Sequence, residues 1–275
     1  MEPDTSAAPR QGRDLVAATA VGVALVAALA LALALPPVAL AVLIGLLLLA
    51  AHVELGRVLA DLGRAVHVDV LLLATVVLLA GTHLLGPRGQ AIGLTFLVIA
   101  ALLRPLMDTE RTDVVGTASR TVLLGAWLGG LASYALLIRT LEEPVVLLVA
   151  VLGAAAAGDI GAYAVGSRLG RRPIAPSVSP NKTWEGFVGG VLAAALIAAA
   201  VLPLDGSSGW LRGAVLGLAI GVAGFLGDLV ASMVKRDLGL KDLGRLLPGH
   251  GGVLDRVDGL LFALPVGHLL LVLLP

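Results

Sequence analysis

The sequence has no cysteine, few aromatics (3%) and little charge (14%) in 275 residues. The missing cysteine excludes disulfides, thiolate nucleophiles and cysteine-based metal sites. Soluble domains carry about 25% charged residues, so this chain could not cover itself with polar surface. Lys+Arg and Asp+Glu are both 19, so net charge points to no particular partner, and no nucleic acid is expected. Neither G-x-x-x-x-G-K-[ST] nor G-x-G-x-x-G occurs, which leaves P-loop and Rossmann nucleotide binding without support. There is also no internal repeat or heptad pattern.

What is present is apolar. Hydrophobic residues make up 58% of the chain and mean hydropathy is +1.00. A spanning helix needs roughly 20 mostly apolar residues, and nine stretches qualify: 15–35, 37–56, 68–86, 90–107, 120–138, 144–165, 186–204, 210–232 and 257–274. The expected fold is therefore all-α, a polytopic integral membrane helical bundle of about nine transmembrane helices. The first run is too long for a signal peptide and is read as a retained helix. Pro36-Pro37, Gly86-Pro87, Glu142-Glu143-Pro144 and 204–209 punctuate the spans as turns. Three regions result: a tail at 1–14, helices one to five over 15–143, and a C-terminal catalytic region over 144–275 with loops 166–185 and 233–256.

Basic residues set the orientation. With nine alternating spans, sixteen of the 19 basic residues fall on the side of the N-terminal tail. Only Arg88, Arg139 and Arg212 fall on the other. The N-terminus and the 6–7 and 8–9 loops are thus expected in the cytoplasm, in a multi-pass protein of the cell membrane.

Those two loops hold the unusual chemistry. Asp159 lies within an otherwise apolar span, where a carboxylate costs several kcal/mol unless paired, protonated or metal-bound. Tyr163 follows one turn later on its face. Ser179-Pro180 reads as a helix start, with Ser179 as N-cap. That start puts Lys182 and Glu185 at the mouth of span seven, a setting that suits phosphate. Asp228, Ser232 and Lys235 share one face of span eight, and Gly213, Gly217, Gly221 and Gly224 continue it. Such a stripe permits close helix approach. Residues 235–259 contain four acids, five bases and His250, ending in Asp255 and Asp258 on one helical face. Carboxylates mixed with Lys182, Lys235, Arg236, Lys241 and Arg256 point to phosphate chemistry with a hard cation such as Mg²⁺. His268 reads as hydrogen-bonded within the bundle, and His52 and Glu54 are left unassigned.

The stretch Ser232-x2-Lys235-Arg236-x4-Lys241-Asp242-x5-Pro248-x-His250-Gly251-Gly252-x2-Asp255-Arg256-x-Asp258 resembles the signature of the phosphatidate cytidylyltransferase (CDP-diacylglycerol synthase) family. Asp159-x3-Tyr163-x2-Gly166, Ser179-Pro180-x-Lys182-Thr183-x-Glu185-Gly186 and Gly227-Asp228-Leu229 are similar to it as well. The resemblance implies transfer of the cytidylyl group of CTP to phosphatidic acid, giving CDP-diacylglycerol and pyrophosphate. It implies Mg²⁺ or Mn²⁺, with room for a second, monovalent cation, and leaves a homodimer open. On that basis Asp228, Asp255 and Asp258 are the favoured metal ligands, with Asp159 as a fourth candidate. Lys235 and His250 join them as catalytic candidates, His250 donating to departing pyrophosphate. Tyr163, Ser179, Lys182, Thr183, Glu185, Ser232, Arg236, Lys241 and Arg256 are assigned to substrate.

Two rivals make different demands. A CDP-alcohol phosphotransferase resembles D-x2-D-G-x2-A-R-x8-G-x3-D-x3-D. Asp255-x2-Asp258-Gly259 matches its start, but Phe262-Ala263 replaces Ala-Arg and no later aspartates follow. A transporter or channel predicts polar residues at midplane depth and on both sides, whereas these gather at one end.

Overall fold

The computed structural model describes residues 15–109, 111–205, 209–244 and 251–274. Among the described residues ten α-helices follow in the order α1 (Leu15–Ala34), α2 (Val38–Asp61), α3 (Val68–Leu85), α4 (Pro87–Leu103), α5 (Val114–Leu124), α6 (Tyr134–Ile138), α7 (Pro144–Leu169), α8 (Trp184–Val201), α9 (Trp210–Asp237) and α10 (Leu254–Leu273). Between α7 and α8 lies a small antiparallel hairpin, β1 (Pro173–Ala175) and β2 (Ser179–Thr183), pairing Ala175 with Ser179. Among the described residues eight segments are long and apolar enough to cross a membrane, and Thr19–Ala34 is a shorter apolar helix. All nine expected spans are therefore helical. The fifth is a composite, in which α5 continues through a π-helical segment, Gly125–Gly130, into α6.

Several helices outrun their apolar stretches. The second span continues to Asp61, the sixth to Leu169 and the eighth to Asp237. Lys235 and Arg236 in the last turn of α9 suit the negative end of its dipole, so charge prolongs that helix. The polar ends of the bundle are thus helical, and the loops are shorter than hydropathy alone suggests.

Small residues set the close packing of the C-terminal helices. A Cβ on Gly213 or Gly217 would collide with the α8 backbone at Ala198 and Ala194. A Cβ on Gly227 would lie 2.8 Å from the Asp258 carbonyl oxygen of α10. The expected glycine stripe therefore serves two neighbours: its first part meets α8, and its continuation through Gly224 and Gly227 meets α10. In a membrane, van der Waals contact at such close approach largely replaces the hydrophobic drive. The N-terminal half packs differently, burying Leu40, Leu48, Leu71, Leu97 and Leu128. Its interior polar groups are neutral and pair between helices: His52 Nδ1 meets Thr75 Oγ1 at 3.2 Å, and Gln90 Nε2 donates to Ser133 Oγ at 2.8 Å. The expected hydrogen bond to His268 is absent among the described residues for Nδ1; the ring instead lies 5.5 Å from that of Tyr134.

Contacts between loops give the spans an alternating sense. Arg64 Nη1 pairs with Asp237 Oδ2 at 2.6 Å, Arg120 Nε donates to Ala65 O at 3.0 Å, and Arg236 Nε donates to Val178 O at 3.3 Å. The 2–3, 4–5, 6–7 and 8–9 connections therefore share one end of the bundle. Arg139 and Arg212 donate to Leu33 O and Leu271 O at the opposite end.

Candidate active site

The 6–7 connection is built differently from the sequence expectation. Ser179 and Pro180 are not a helix start; they belong to β2. Proline lacks an N–H, but an edge strand of a two-stranded ribbon tolerates that. The helix begins after Thr183, whose Oγ1 accepts the Gly186 N–H at 3.2 Å as a true N-cap. Glu185 Oε2 accepts the Arg171 and Arg172 amides at 3.0 and 3.3 Å, and Trp184 N donates to Arg172 O. Thr183 and Glu185 thus brace the turn that carries Lys182.

Lys182 turns inward. Its Nζ lies 2.6 Å from Asp228 Oδ2 and 5.1 Å from the centroid of the Phe225 ring, and its side chain is largely buried. Phe225, three residues before Asp228, escaped sequence reasoning because an aromatic in an apolar span carries no distinguishing signal. Ser232 Oγ reaches Asp228 Oδ1 at 3.5 Å, as the i, i+4 spacing requires.

A second ion pair lies on the same side of α9. Lys235 Nζ is 2.7 Å from Asp255 Oδ1 and 3.7 Å from Asp258 Oδ2. Asp255 is nearly inaccessible, with side-chain exposure of 3%. Its oxygens also accept the Leu243 amide (3.0 Å to Oδ2) and the Gly252 amide (2.9 Å). A carboxylate engaged by two amides and an ammonium organises the chain around it. Asp258 is freer, accepting its neighbouring Gly259 amide at 2.9 Å. Asp159 has no hydrogen-bond or ion-pair partner among the described residues, yet it lies near enough to Asp228, Asp258 and Lys182 to interact electrostatically.

The structure therefore gathers Asp159, Lys182, Asp228, Ser232, Lys235, Asp255 and Asp258 from α7, β2, α9 and α10. Tyr163, Arg236 and Lys241 are placed apart from these side chains among the described residues. Tyr163 is 78% exposed on α7. Arg236 staples α9 to the hairpin through Val178 O and reaches Leu240 O. Lys241 lines a cleft of about 1370 Å³ between α2, α3 and the 240–244 turn. Arg256 is exposed on the first turn of α10. His250 falls outside the described residues.

Does the cluster suit a divalent metal? Among the described residues no three carboxylates or histidines are gathered as a ready-made cage. Mg²⁺ seldom needs one: it keeps several waters and takes one or two carboxylates together with substrate phosphates. Asp159 has no hydrogen-bond or ion-pair partner among the described residues, and Asp258 Oδ2 is held only by the 3.7 Å contact with Lys235, so with Asp228 beside them the donor chemistry fits. Asp255, occupied as described, fits less well than expected from the sequence.

Comparison with known proteins shows the family. The pattern of the Cytidylyltransferase family matches residues 16–274. The phosphatidate cytidylyltransferase of Mycobacterium leprae is 35% identical over 293 aligned residues, covering 100% of this chain and 93% of that protein. The Mycobacterium bovis protein of the same name is 35% identical over 97% of this chain and 91% of its own length. That of Brucella suis is 38% identical over 68% of this chain and 67% of its own.

Proposed function

Because this chain belongs to the cytidylyltransferase family and makes CDP-diacylglycerol from CTP and phosphatidate, we propose that the reaction takes place where α7, β2, α9 and α10 converge. The observation that carries this reading is the meeting of Asp159, Asp228 and Asp258 with Lys182 and Lys235, drawn from separate segments to one end of a membrane bundle.

The chemistry asks for little proton transfer. A phosphate monoester has its second pKa near about 6, so the lipid headgroup is largely a dianion at neutral pH. A phosphatidate oxygen attacks the α-phosphorus of CTP, forming a new P–O bond. The bond from that phosphorus to the bridging oxygen breaks, and pyrophosphate departs with its electron pair. The obstacle is bringing two anions together in line. Lys182 and Lys235 supply cationic contacts for phosphate oxygens, and Asp228 and Asp255 hold them in place before substrate arrives. A bound Mg²⁺ or Mn²⁺ supplies further charge neutralisation on the triphosphate, and Asp159, Asp228 and Asp258 are the residues that would hold it. Asp255 acts instead as the anchor of Lys235 and of the backbone at Leu243 and Gly252.

The basic bias of the loops supports a cytoplasmic placement for this end. The transporter and phosphotransferase readings are not favoured: the inward carboxylates and lysines collect at one end, and Phe262-Ala263 stands where the phosphotransferase pattern needs Ala-Arg. Sealed membrane vesicles of known orientation test both parts of the proposal. Pyrophosphate release should require phosphatidate and should occur when CTP faces the 240–244 turn. No release in either orientation removes the reaction; release only from the opposite face removes the placement.

A further inference from the structure

Glu54 lies in the last third of α2, in the N-terminal half, 199 residues before the backbone it touches. Its Oε2 accepts the Val253 amide at 3.1 Å. Val253 is the N-cap position of α10, and it brings no side-chain acceptor of its own. Helix N-termini leave unsatisfied amides and carry partial positive charge, so a carboxylate there is favourable. The adjacent Gly252 amide goes to Asp255. Two successive amides at the start of the catalytic helix are thus held by two carboxylates, one from α10 itself and one from a distant part of the chain.

The seat for Glu54 is sterically specific. A Cβ on Gly244 would overlap the Glu54 carboxyl group, and a Cβ on Gly252 would lie 2.9 Å from Oε2. Two stretches of backbone therefore close around this one carboxylate. The Leu243 and Gly252 amides of these same two stretches hold Asp255, and Asp255 in turn holds Lys235 beside Asp258.

We propose that Glu54 is a positioning residue for cytidylyl transfer: it seats the backbone at Leu243-Gly244 and Gly252-Val253 so that Asp255, Lys235 and Asp258 keep their register. This rests on the reading of Lys235 and Asp258 as part of the active site. Glu54 acts through that backbone and touches no reacting group, so its loss should appear mainly in kcat.

The test uses the purified full chain in mixed micelles, with steady-state kinetics and thermal unfolding measured in parallel. Glu54→Ala should lower kcat about ten- to a hundredfold, the scale of one lost charge-assisted hydrogen bond, with KM for CTP within about twofold. Glu54→Gln keeps an acceptor without the charge and should recover part of the loss. Gly244→Ala should mimic Glu54→Ala, because its Cβ takes the carboxylate's place. Added to Glu54→Ala, it should cost less than about threefold more, since the clash is gone. Unchanged kinetics in Glu54→Ala, or fully multiplicative losses in the double variant, would overturn the proposal. So would equal losses in Ala and Gln that track a lowered Tm. If Glu54→Ala does not fold, Glu54→Gln and Gly244→Ala decide: wild-type kcat in both rejects the role. A wild-type protein without CTP- and phosphatidate-dependent pyrophosphate release would instead reject the underlying reaction.

Discussion

The two halves of the bundle solve the problem of living in lipid in different ways. Helices α1 to α6 bury leucines, pair uncharged polar side chains inside and place their ion pairs at the exposed rim, as in Arg104 with Asp69 at 2.5 Å. Helices α7 to α10 meet through glycine and alanine and bring carboxylates and lysines inward. Close backbone approach makes the second arrangement workable. It brings Asp228 and Asp258 from two helices within reach of one another, so that lysines and substrate phosphates can offset a charge that would otherwise be costly in the membrane. An ion pair at the rim contributes about 0–1 kcal/mol at most; the inward groups should matter far more to turnover than to folding.

That contrast can be broken by substitution, and the largest effect is expected at the carboxylates. Asp258→Asn and Asp228→Asn should each abolish turnover while leaving a folded, membrane-inserted protein, because each removes an anionic contact from the site and little packing. Normal Mg²⁺-dependent activity in either variant, measured by pyrophosphate release, would take that residue out of the site.

An intermediate effect is expected at Lys182. Lys182→Ala should lower kcat/KM about ten- to a hundredfold, as expected for one charge-assisted contact. Lys182→Arg should recover part of it, since charge is kept while geometry changes. Varying CTP and phosphatidate separately assigns the contact: a rise confined to one KM identifies the substrate it touches. Wild-type constants in both variants would detach the hairpin from the active site.

The smallest effect belongs to the N-terminal rim. Arg64→Ala removes the pair with Asp237, whose side chains are 44% and 70% exposed, and should change kcat/KM by less than about twofold. A loss as large as that at Lys182 would erase the distinction between rim and interior.

Much of this was legible in the sequence, for reasons that separate the two halves again. Hydropathy located every span, because lipid demands long apolar helices. It missed the break at Gly125–Gly130, although three glycines in six residues there are compatible with an irregular turn. Spacing placed Asp228, Ser232 and Lys235 on one face, since helical periodicity is local. The hairpin was hidden, because Ser179-Pro180 imitates a helix start while Thr183-x-x-Gly186 is the cap that forms. The partners of Asp255 and Glu54 were also out of reach. Their contacts join residues 12, 20 and 199 positions apart, and only the packing of distant helices brings those together.

The most direct test of the central claim follows the phosphorus atoms. CTP labelled at the α- or γ-phosphate is given to the purified protein with phosphatidate and Mg²⁺, in parallel with Asp258→Asn. The account predicts that α-label enters the lipid fraction, that γ-label leaves as pyrophosphate in equal amount, and that neither occurs in the variant. Release of γ-label as orthophosphate, lipid labelling from the γ-position, or undiminished transfer in Asp258→Asn would contradict it.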